Sequence, residues 1–155
     1  MKKFLAVLLV LVFPSISTAL ELPNKISEWR STGEYVVPLI TQPDNVDLGR
    51  CVYKNYVSNS PRGELQIILT EGNGAGTLYV PDEVKNSDSS KMLLPSNSGY
   101  RVMSISGKRA VLEINENLPV SLAVRYDENI TLTIETNSLN GQEIKIFAES
   151  LLAAL

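Results

Sequence analysis

The sequence contains no histidine and only one cysteine. The missing histidine excludes Ser-His-Asp and Cys-His catalytic groups and every metal site that needs an imidazole ligand. The single cysteine excludes a disulfide bond within the chain. The chain also has no excess of positive charge, because it contains 14 lysines and arginines and 17 aspartates and glutamates. The resulting net charge of −3 disfavours a general nucleic-acid binder, since phosphate backbones attract basic surfaces.

The composition is that of a folded, soluble protein. The chain is 44% hydrophobic and 20% charged, which excludes a disordered or collagen-like protein. Its 155 residues suffice for one domain of ordinary size. We therefore expect a single packed core.

The start of the chain has the three-part pattern of a secretory signal peptide. Two lysines precede an unbroken apolar run over residues 4–13, and Ser17 and Ala19 are the small residues expected before a cleavage site. A helix of about ten residues is about 15 Å long, half of the roughly 30 Å hydrocarbon core, which disfavours a membrane anchor. We predict a signal peptide over residues 1–19 and one domain over residues 20–155, exported by a bacterium to the periplasm or the extracellular space.

The lone Cys51 has two interpretations. It is either a small apolar side chain buried in a strand over residues 49–57, or a reactive thiol that can bond to a second chain in an oxidising compartment. A reactive thiol needs a nearby base or positive field. The adjacent Arg50 does not supply one, because neighbours in a strand point to opposite faces. We predict that Cys51 is buried and unreactive.

Alternating apolar and polar residues predict an antiparallel sheet of about six or seven strands. The alternation is clearest over residues 120–126 and 130–135, which are separated by a short turn. Pro38 restricts the strand over residues 34–41 to an edge or a bulged position, because proline cannot donate to the ladder. A polar stretch over residues 81–99 interrupts the sheet. Further strands are predicted over residues 48–57, 64–70, 77–80, 100–105 and 110–114.

A helix is predicted at each end of this sheet. Residues 25–30 form a short candidate helix on which Ile26 and Trp29 share one face. Near the C-terminus, Asn140 and Glu143 have the spacing of a capping box, and apolar residues then recur at helical spacing. These residues are Ile144, Phe147, Ala148, Leu151 and Leu155. The predicted fold class is therefore α+β, an antiparallel sheet with a short N-terminal helix and a C-terminal helix packed on it.

The motifs that carry chemistry elsewhere are incomplete in this sequence. The glycine-rich run over residues 72–76 leads into an extended stretch and lacks the Lys-Ser/Thr pair of a phosphate-binding loop, so we interpret it as a tight turn with positive φ. The acidic residues around 44–47, 82–83 and 127–129 lack the spacing of a calcium loop and are interpreted as solvated charges. The Ser-Lys run over residues 87–91 lies in a polar segment. No catalytic residue, metal or cofactor is predicted.

Aromatic residues are the candidates for a binding surface. A half-buried tyrosine on a sheet is ordinary packing, but the same rings can line a ligand groove or a partner surface. The candidate ligand or partner surface consists of Trp29, Tyr53, Tyr56, Tyr79 and Tyr100.

The last third of the chain has a recognisable order of elements. A hairpin around residues 106–108 leads into Arg-Ala-Val-Leu-Glu at residues 109–113, followed by Leu-Thr-Ile-Glu at residues 132–135 and Ala-Glu-Ser-Leu-Leu at residues 148–152. This order resembles the closing hairpins and terminal helix of small exported bacterial domains of unknown function, and the layout is similar to the PsbP-like class. The resemblance implies an α+β fold and a binding or accessory role, and it supplies no site residue.

Three functions remain open from the sequence. The first is an exported non-enzymatic domain that binds an envelope or secreted protein partner, which would show an exposed apolar patch. The second is a carrier of a small apolar ligand, which would enclose an unfilled apolar pocket beneath the C-terminal helix. The third and least favoured is a hydrolase that uses carboxylates alone, which would show converging acids in a cleft.

Overall fold

The computed structural model of the chain describes residues 19–40, 46–76, 78, 99–115 and 117–155. Its elements are β1 (Lys25–Ile26), β2 (Trp29–Ile40), β3 (Asp47–Asn59), β4 (Arg62–Glu71), β5 (Gly99–Ile105), β6 (Lys108–Ile114), β7 (Val120–Arg125), β8 (Ile130–Thr136) and the helix α1 (Gly141–Ala154). Several predicted features lie outside the described residues: the signal peptide up to residue 18, the turn at 42–45, Tyr79, the Ser-Lys run over 87–91 and nearly all of the polar stretch over 81–99.

The eight described strands form one antiparallel sheet in the order β1-β2-β3-β4-β8-β7-β6-β5. The strands β1 to β4 make one meander of consecutive hairpins, and β5 to β8 make a second one. The two meanders meet where β4 pairs with β8. The sheet is therefore built from two four-stranded halves that are joined through their last strands.

The predicted N-terminal helix is wrong. Residues 25–30 form a tight hairpin, in which Ile26 pairs with Trp29 and Lys25 pairs with Arg30. Ser27 adopts a left-handed φ of 52° in the two-residue turn. A spacing of three brings two side chains together on a helix, but it also makes them direct partners across such a hairpin. A six-residue helix forms too few hydrogen bonds to offset the free energy of its nucleation. The hairpin buries the same two side chains without that cost.

The predicted number of strands is wrong as well. The described residues contain eight strands rather than six or seven, since β1 adds a strand where a helix was expected. Of the strand predicted over residues 77–80, only Leu78 is described, and it lies outside the strands. The fold is accordingly one large sheet with a single described helix at its C-terminal end, rather than a sheet with a helix at each end.

The core lies between α1 and the face of the sheet that we call the inner face. Alternate residues of the central strands are buried there: Ile67, Leu69, Ala110, Leu112, Leu122, Val124, Leu132 and Ile134. The helix lies across the strands, because it contacts both β1 and β5 at the two edges of the sheet. The rings of Trp29 and Phe147 meet edge to face with 5.7 Å between their centroids. This packing ties the N-terminal hairpin to the helix.

The helix α1 begins at the predicted capping box. The Asn140 side chain accepts hydrogen bonds from the backbone of Gln142 and Glu143, and the Glu143 carboxylate accepts one from the Asn140 backbone. Its buried face consists of Ile144, Phe147, Ala148 and Leu151. Each fully buried leucine, isoleucine or phenylalanine contributes about 1.5–3 kcal/mol, so this face is a main source of the stability of the domain.

The glycine-rich run joins the two meanders at the end of the sheet. Gly74 has a positive φ of 75°, as a tight turn requires. The other two glycines allow close backbone approach instead. A Cβ on Gly72 would lie 1.9 Å from the Leu48 carbonyl oxygen, and one on Gly76 would lie 2.0 Å from the Asp127 carbonyl oxygen. The run therefore fits a structural role, with its glycines set by backbone contacts.

Candidate functional site

Two of the predicted surface aromatics, Trp29 and Tyr56, lie in the core. Tyr56 is fully buried, and its hydroxyl donates to the Pro23 carbonyl oxygen at 2.6 Å. Burial, and then the nearby Glu34 carboxylate, raise the pKa of Tyr56 far above its ordinary value. Both rings stabilise the fold and are withdrawn from any surface.

The remaining described members of the set lie far apart. Tyr53 on β3 and Tyr100 on β5 both stand on the outer face, which is the face opposite α1. Five strand spacings separate β3 from β5, which is about 24 Å at about 4.8 Å per strand. Tyr100 packs near Leu78 and Val111 and donates its hydroxyl to Glu113 at 3.2 Å. The structure therefore does not assemble the predicted aromatics into one site.

Tyr53 takes part in a contact that the sequence interpretation missed. Its ring stacks on that of Tyr35 with 4.7 Å between centroids and an interplanar angle of 5°. Cys51, next to it on the same face, is buried as predicted, with its Sγ 3.6 Å from the Thr70 hydroxyl oxygen. The Cys51 thiol, followed by lost hydration and by Tyr35, raises the pKa of Tyr53. Tyr35 and Tyr53 are direct partners across the ladder, so the Tyr35 side of β2 belongs to the outer face.

Beside this stack, the far end of the hairpin of β2 and β3 extends past β4. The two strands are 12 and 13 residues long, and the ladder between β3 and β4 ends where Arg50 pairs with Glu71. Residues 39–40 and 47–49 therefore lie beyond β4, whereas residues 35–38 form an edge of the sheet beside the part of β3 that β4 pairs with. We call residues 35–40 of β2 and 46–49 of β3, at the far end of this hairpin, the arm. Large apolar side chains of the arm are exposed: Tyr35, Val36, Val37, Ile40, Val46 and Leu48. So many adjacent exposed apolar side chains are typical of an interaction surface.

The arm is apolar on both of its faces. Val36 and Val37 point to opposite sides of β2 and are 51% and 41% exposed. On the inner side, Val36, Pro38 and Ile40 line a mainly apolar surface groove of about 480 Å³. The sequence signal for this feature is the unbroken apolar run over residues 35–40. Such a run is typical of a strand that is buried on both faces, yet here both faces are open.

The base of the arm is held by ion pairs and by close backbone packing. The Arg50 guanidinium contacts the Glu71 carboxylate at 2.8 Å, and the Lys54 ammonium contacts the Glu34 carboxylate at 2.8 Å. Gly49 has a φ of 121°, and a Cβ there would lie 1.9 Å from the Glu71 carbonyl oxygen. These contacts fix the direction in which the arm projects.

The main-chain groups of β2 can be assigned to either side of the strand. Gly72 donates its N–H to the Asn129 carbonyl oxygen at 2.9 Å, so even-numbered residues of β4 face β8 and odd-numbered residues face β3. The ladder between β3 and β4 pairs the odd-numbered residues of β4 with the even-numbered residues of β3. The main-chain groups of the even-numbered residues of β3 therefore bond to β4, and those of the odd-numbered residues point to β2. On β2, Tyr35 and Val37 pair with such residues and therefore bond to β3.

The intervening residues of β2 face the edge of the sheet. Glu34 and Val36 present their N–H and carbonyl groups there, and Pro38 presents a carbonyl group alone. A proline is tolerated at such a position because its missing N–H would point away from the ladder. The strand β1 covers this edge only up to Ser31, whose N–H bonds to the Asn24 carbonyl oxygen. Within the part of the chain that the structure describes, no strand pairs with β2 beyond that point.

A polar groove of about 470 Å³ lies elsewhere on the outer face. Gln66 donates its side-chain N–H to the Asn55 side-chain oxygen at 2.9 Å, and the carboxylates of Glu64 and Glu135 line the same groove. These two carboxylates are the place where the hydrolase interpretation would have to act. Among residues 19–40, 46–76, 78, 99–115 and 117–155, no three acidic or cysteine side chains converge to hold a metal ion.

The inner face is packed where α1 covers it. The four buried side chains of the helix pack directly against the buried residues of the sheet. Lys54, also on the inner face, is buried as well, and its ammonium donates to the Leu22 carbonyl oxygen at 2.8 Å. The N-terminal segment thus covers part of β3, and a surface groove of about 430 Å³ remains between this segment and β2 and β3.

Comparisons with known proteins leave the arm as the main structural indication of function. No protein-family model, curated protein or solved structure matches the chain. The resemblance to PsbP-like domains therefore stays a prediction. Among the described helical residues, none form a helix with the length and apolar character needed to cross a bilayer.

Proposed function

We propose that the chain is an exported, non-enzymatic binding domain that recognises a partner polypeptide through the arm. The observation that supports this proposal is the apolar run over residues 35–40, which has the composition of a strand buried on both faces but is exposed on both. Exposing these side chains to water without a partner is unfavourable, at about 25 cal/mol for each Å² of apolar surface.

The arm offers two kinds of contact to a polypeptide. The outward main-chain groups of Glu34 and Val36 can pair with an added strand, which supplies affinity that does not depend on sequence. The apolar side chains on either face of the arm then select partners with apolar residues at alternate positions. Because the ion pairs at the base hold the arm in place, little conformational entropy is lost on binding.

The proposal is tested by site-specific photo-crosslinking in the cells that produce the protein. A photoreactive phenylalanine analogue is placed at Val37 of the arm and, as the matched control, at Ile146 of α1, which is 54% exposed. We expect a discrete cross-linked polypeptide from Val37 and none from Ile146, because only the arm is proposed to dock. Equal adducts at both positions, or none at Val37, would contradict the proposed role of the arm.

The same material tests the proposed export. The intact mass of the protein recovered outside the cytoplasm shows whether residues 1–19 have been removed, and we expect a chain that starts at Leu20. A chain that retains these residues would contradict cleavage, while the cross-linking result would still decide the role of the arm.

A further inference from the structure

We infer that the partner polypeptide is a second copy of this chain, and that two β2 strands pair antiparallel about a twofold axis at Val36. This inference rests on the proposed binding role of the arm and names its occupant. Pairing of the two edges would join two eight-stranded sheets into one continuous sheet. Such an interface is isologous, because the same surface of each copy is used.

The regular part of β2 determines where the axis falls. The ladder between β2 and β3 is irregular between Ser31 and Gly33 and again between Leu39 and Ile40. The stretch between these irregularities runs from Gly33 to Leu39, and Val36 is its midpoint. On its N-terminal side, β1 already occupies the edge up to Ser31. A symmetric pairing that uses the whole regular stretch is therefore centred on Val36.

The outward main-chain groups match in this register. Val36 faces Val36 of the second copy as a hydrogen-bonded pair, so each donates its N–H to the carbonyl of the other. Glu34 faces Pro38 of the second copy, and the Glu34 N–H can donate to the Pro38 carbonyl. The N–H that Pro38 lacks costs one bond at each end of the pairing and none at its centre. About four main-chain hydrogen bonds would join the two strands.

The side chains match as well. On the outer face Tyr35 lies opposite Val37 of the second copy, which is a favourable pair of an aromatic and a β-branched residue. Only Glu34 is charged between Gly33 and Ile40, and its carboxylate is already engaged by Lys54 of its own chain. In this register the two Glu34 residues face prolines rather than each other. No like charges are brought together, although the whole chain is negatively charged.

The size of the contact sets the expected affinity. Four half-exposed apolar side chains and one strand edge from each copy amount to roughly 500 Å² per copy, which is smaller than the roughly 800 Å² of a stable complex. We therefore expect a reversible dimer with a micromolar dissociation constant rather than an obligate one.

The test measures the mass of the purified protein by analytical ultracentrifugation from low micromolar to several hundred micromolar concentration. The variants Val36→Lys and Val36→Glu each place two like charges at the axis, and each should weaken the dimer at least about tenfold. An equimolar mixture of the two should restore it, because lysine then faces glutamate. The control Ile146→Lys adds the same charge to α1 and should dimerise like the wild type.

Each outcome decides the inference. A wild-type dimer that is lost in both single variants and regained in the mixture supports pairing centred on Val36. Circular dichroism melting of the variants below the dissociation constant shows that each still folds. A wild type that stays monomeric, dimers that both single variants keep, or a mixture that stays monomeric would overturn the inference. In that case a Val37 cross-link to a different polypeptide would leave the proposed function standing, whereas no cross-link at all would remove both.

Discussion

The two meanders of the sheet differ in how closely the lengths of neighbouring strands match. The strands β5 to β8 are six or seven residues long and are flanked by neighbours of similar length. Alternate residues of β6, β7 and β8 are buried against α1 and the rest of the core. In the other meander, β2 and β3 are nearly twice as long, the far part of β2 is an open edge, and the last residues of the hairpin extend past β4. The same kind of apolar residue is thus buried in one half and exposed on the arm of the other.

This difference separates stability from recognition within a single sheet. Where strand lengths match, each apolar side chain contributes to the core, and removing it leaves a cavity. On the arm, where the side chains are exposed, an apolar side chain contributes little to the folded monomer and can be used for binding. The comparison therefore predicts that substitutions in the second meander lower the free energy of unfolding. Substitutions in the arm should instead change the affinity for a partner polypeptide.

The largest expected effect tests this separation directly. Leu122→Ala removes a fully buried side chain of β7 and should lower the free energy of unfolding by about 2–5 kcal/mol. Val37→Ala removes an exposed side chain of the arm and should change the free energy of unfolding by less than about 0.5 kcal/mol. Urea denaturation at low protein concentration measures both. If the two variants were destabilised equally, the arm would have to belong to the core.

An intermediate effect is expected where the two meanders meet at the glycine-rich run. Gly76→Asn places a Cβ 2.0 Å from the Asp127 carbonyl oxygen and should destabilise by about 1–3 kcal/mol. Gly74→Asn is the matched control, because nothing lies within 4 Å of its Cβ and asparagine tolerates a positive φ. It should cost less than about 1 kcal/mol. Thermal melting of both variants checks this, and a greater loss in the Gly74 variant would show that conformation rather than close approach is limiting.

Much of the sheet could be predicted from the sequence, since alternation is decisive where one face is buried and the other is not. The alternation predicted that Leu122 and Val124 share a face and that Leu132 and Ile134 share a face, and all four are buried on the inner face. The capping box predicted the start of α1. The hairpin at Ile26 and Trp29 was missed because a spacing of three fits both a helix and a two-residue turn. The local sequence pattern does not distinguish a helix from a hairpin here. The contact between Trp29 and Phe147 joins distant segments, so it is not visible in the local pattern.

The candidate site was harder to predict because it depends on strand order. Tyrosines were chosen as surface candidates by residue type, yet Tyr56 and Tyr53 lie on opposite faces of β3, and Tyr56 is fully buried whereas Tyr53 is half-buried. The apolar run over residues 35–40 was visible, but Pro38 indicated only that this strand lies at an edge or bulge. Only the ladder shows that β4 ends before the arm does and that β1 leaves the edge open. These are properties of pairing between distant segments.

The smallest expected effect concerns the buried end of the long hairpin, away from the arm. Tyr56→Phe removes the hydroxyl that bonds to the Pro23 carbonyl oxygen and should cost about 1 kcal/mol near neutral pH. The pKa of Tyr56 is raised in the folded state, so the unfolded chain releases this proton first once the pH exceeds about 10. The stability that Tyr56 contributes is therefore complete below about pH 10 and is lost as the pH rises further.

Urea denaturation at about pH 8 and about pH 11 distinguishes this titration from a merely structural loss. The gap between wild type and Tyr56→Phe should shrink by about 1 kcal/mol between the two pH values, because only the wild type carries the group that titrates. Val37→Ala is the control, since it removes no titrating group and its gap from the wild type should be the same at both pH values. A gap that stays constant would mean that the Tyr56 hydroxyl is not buried in solution.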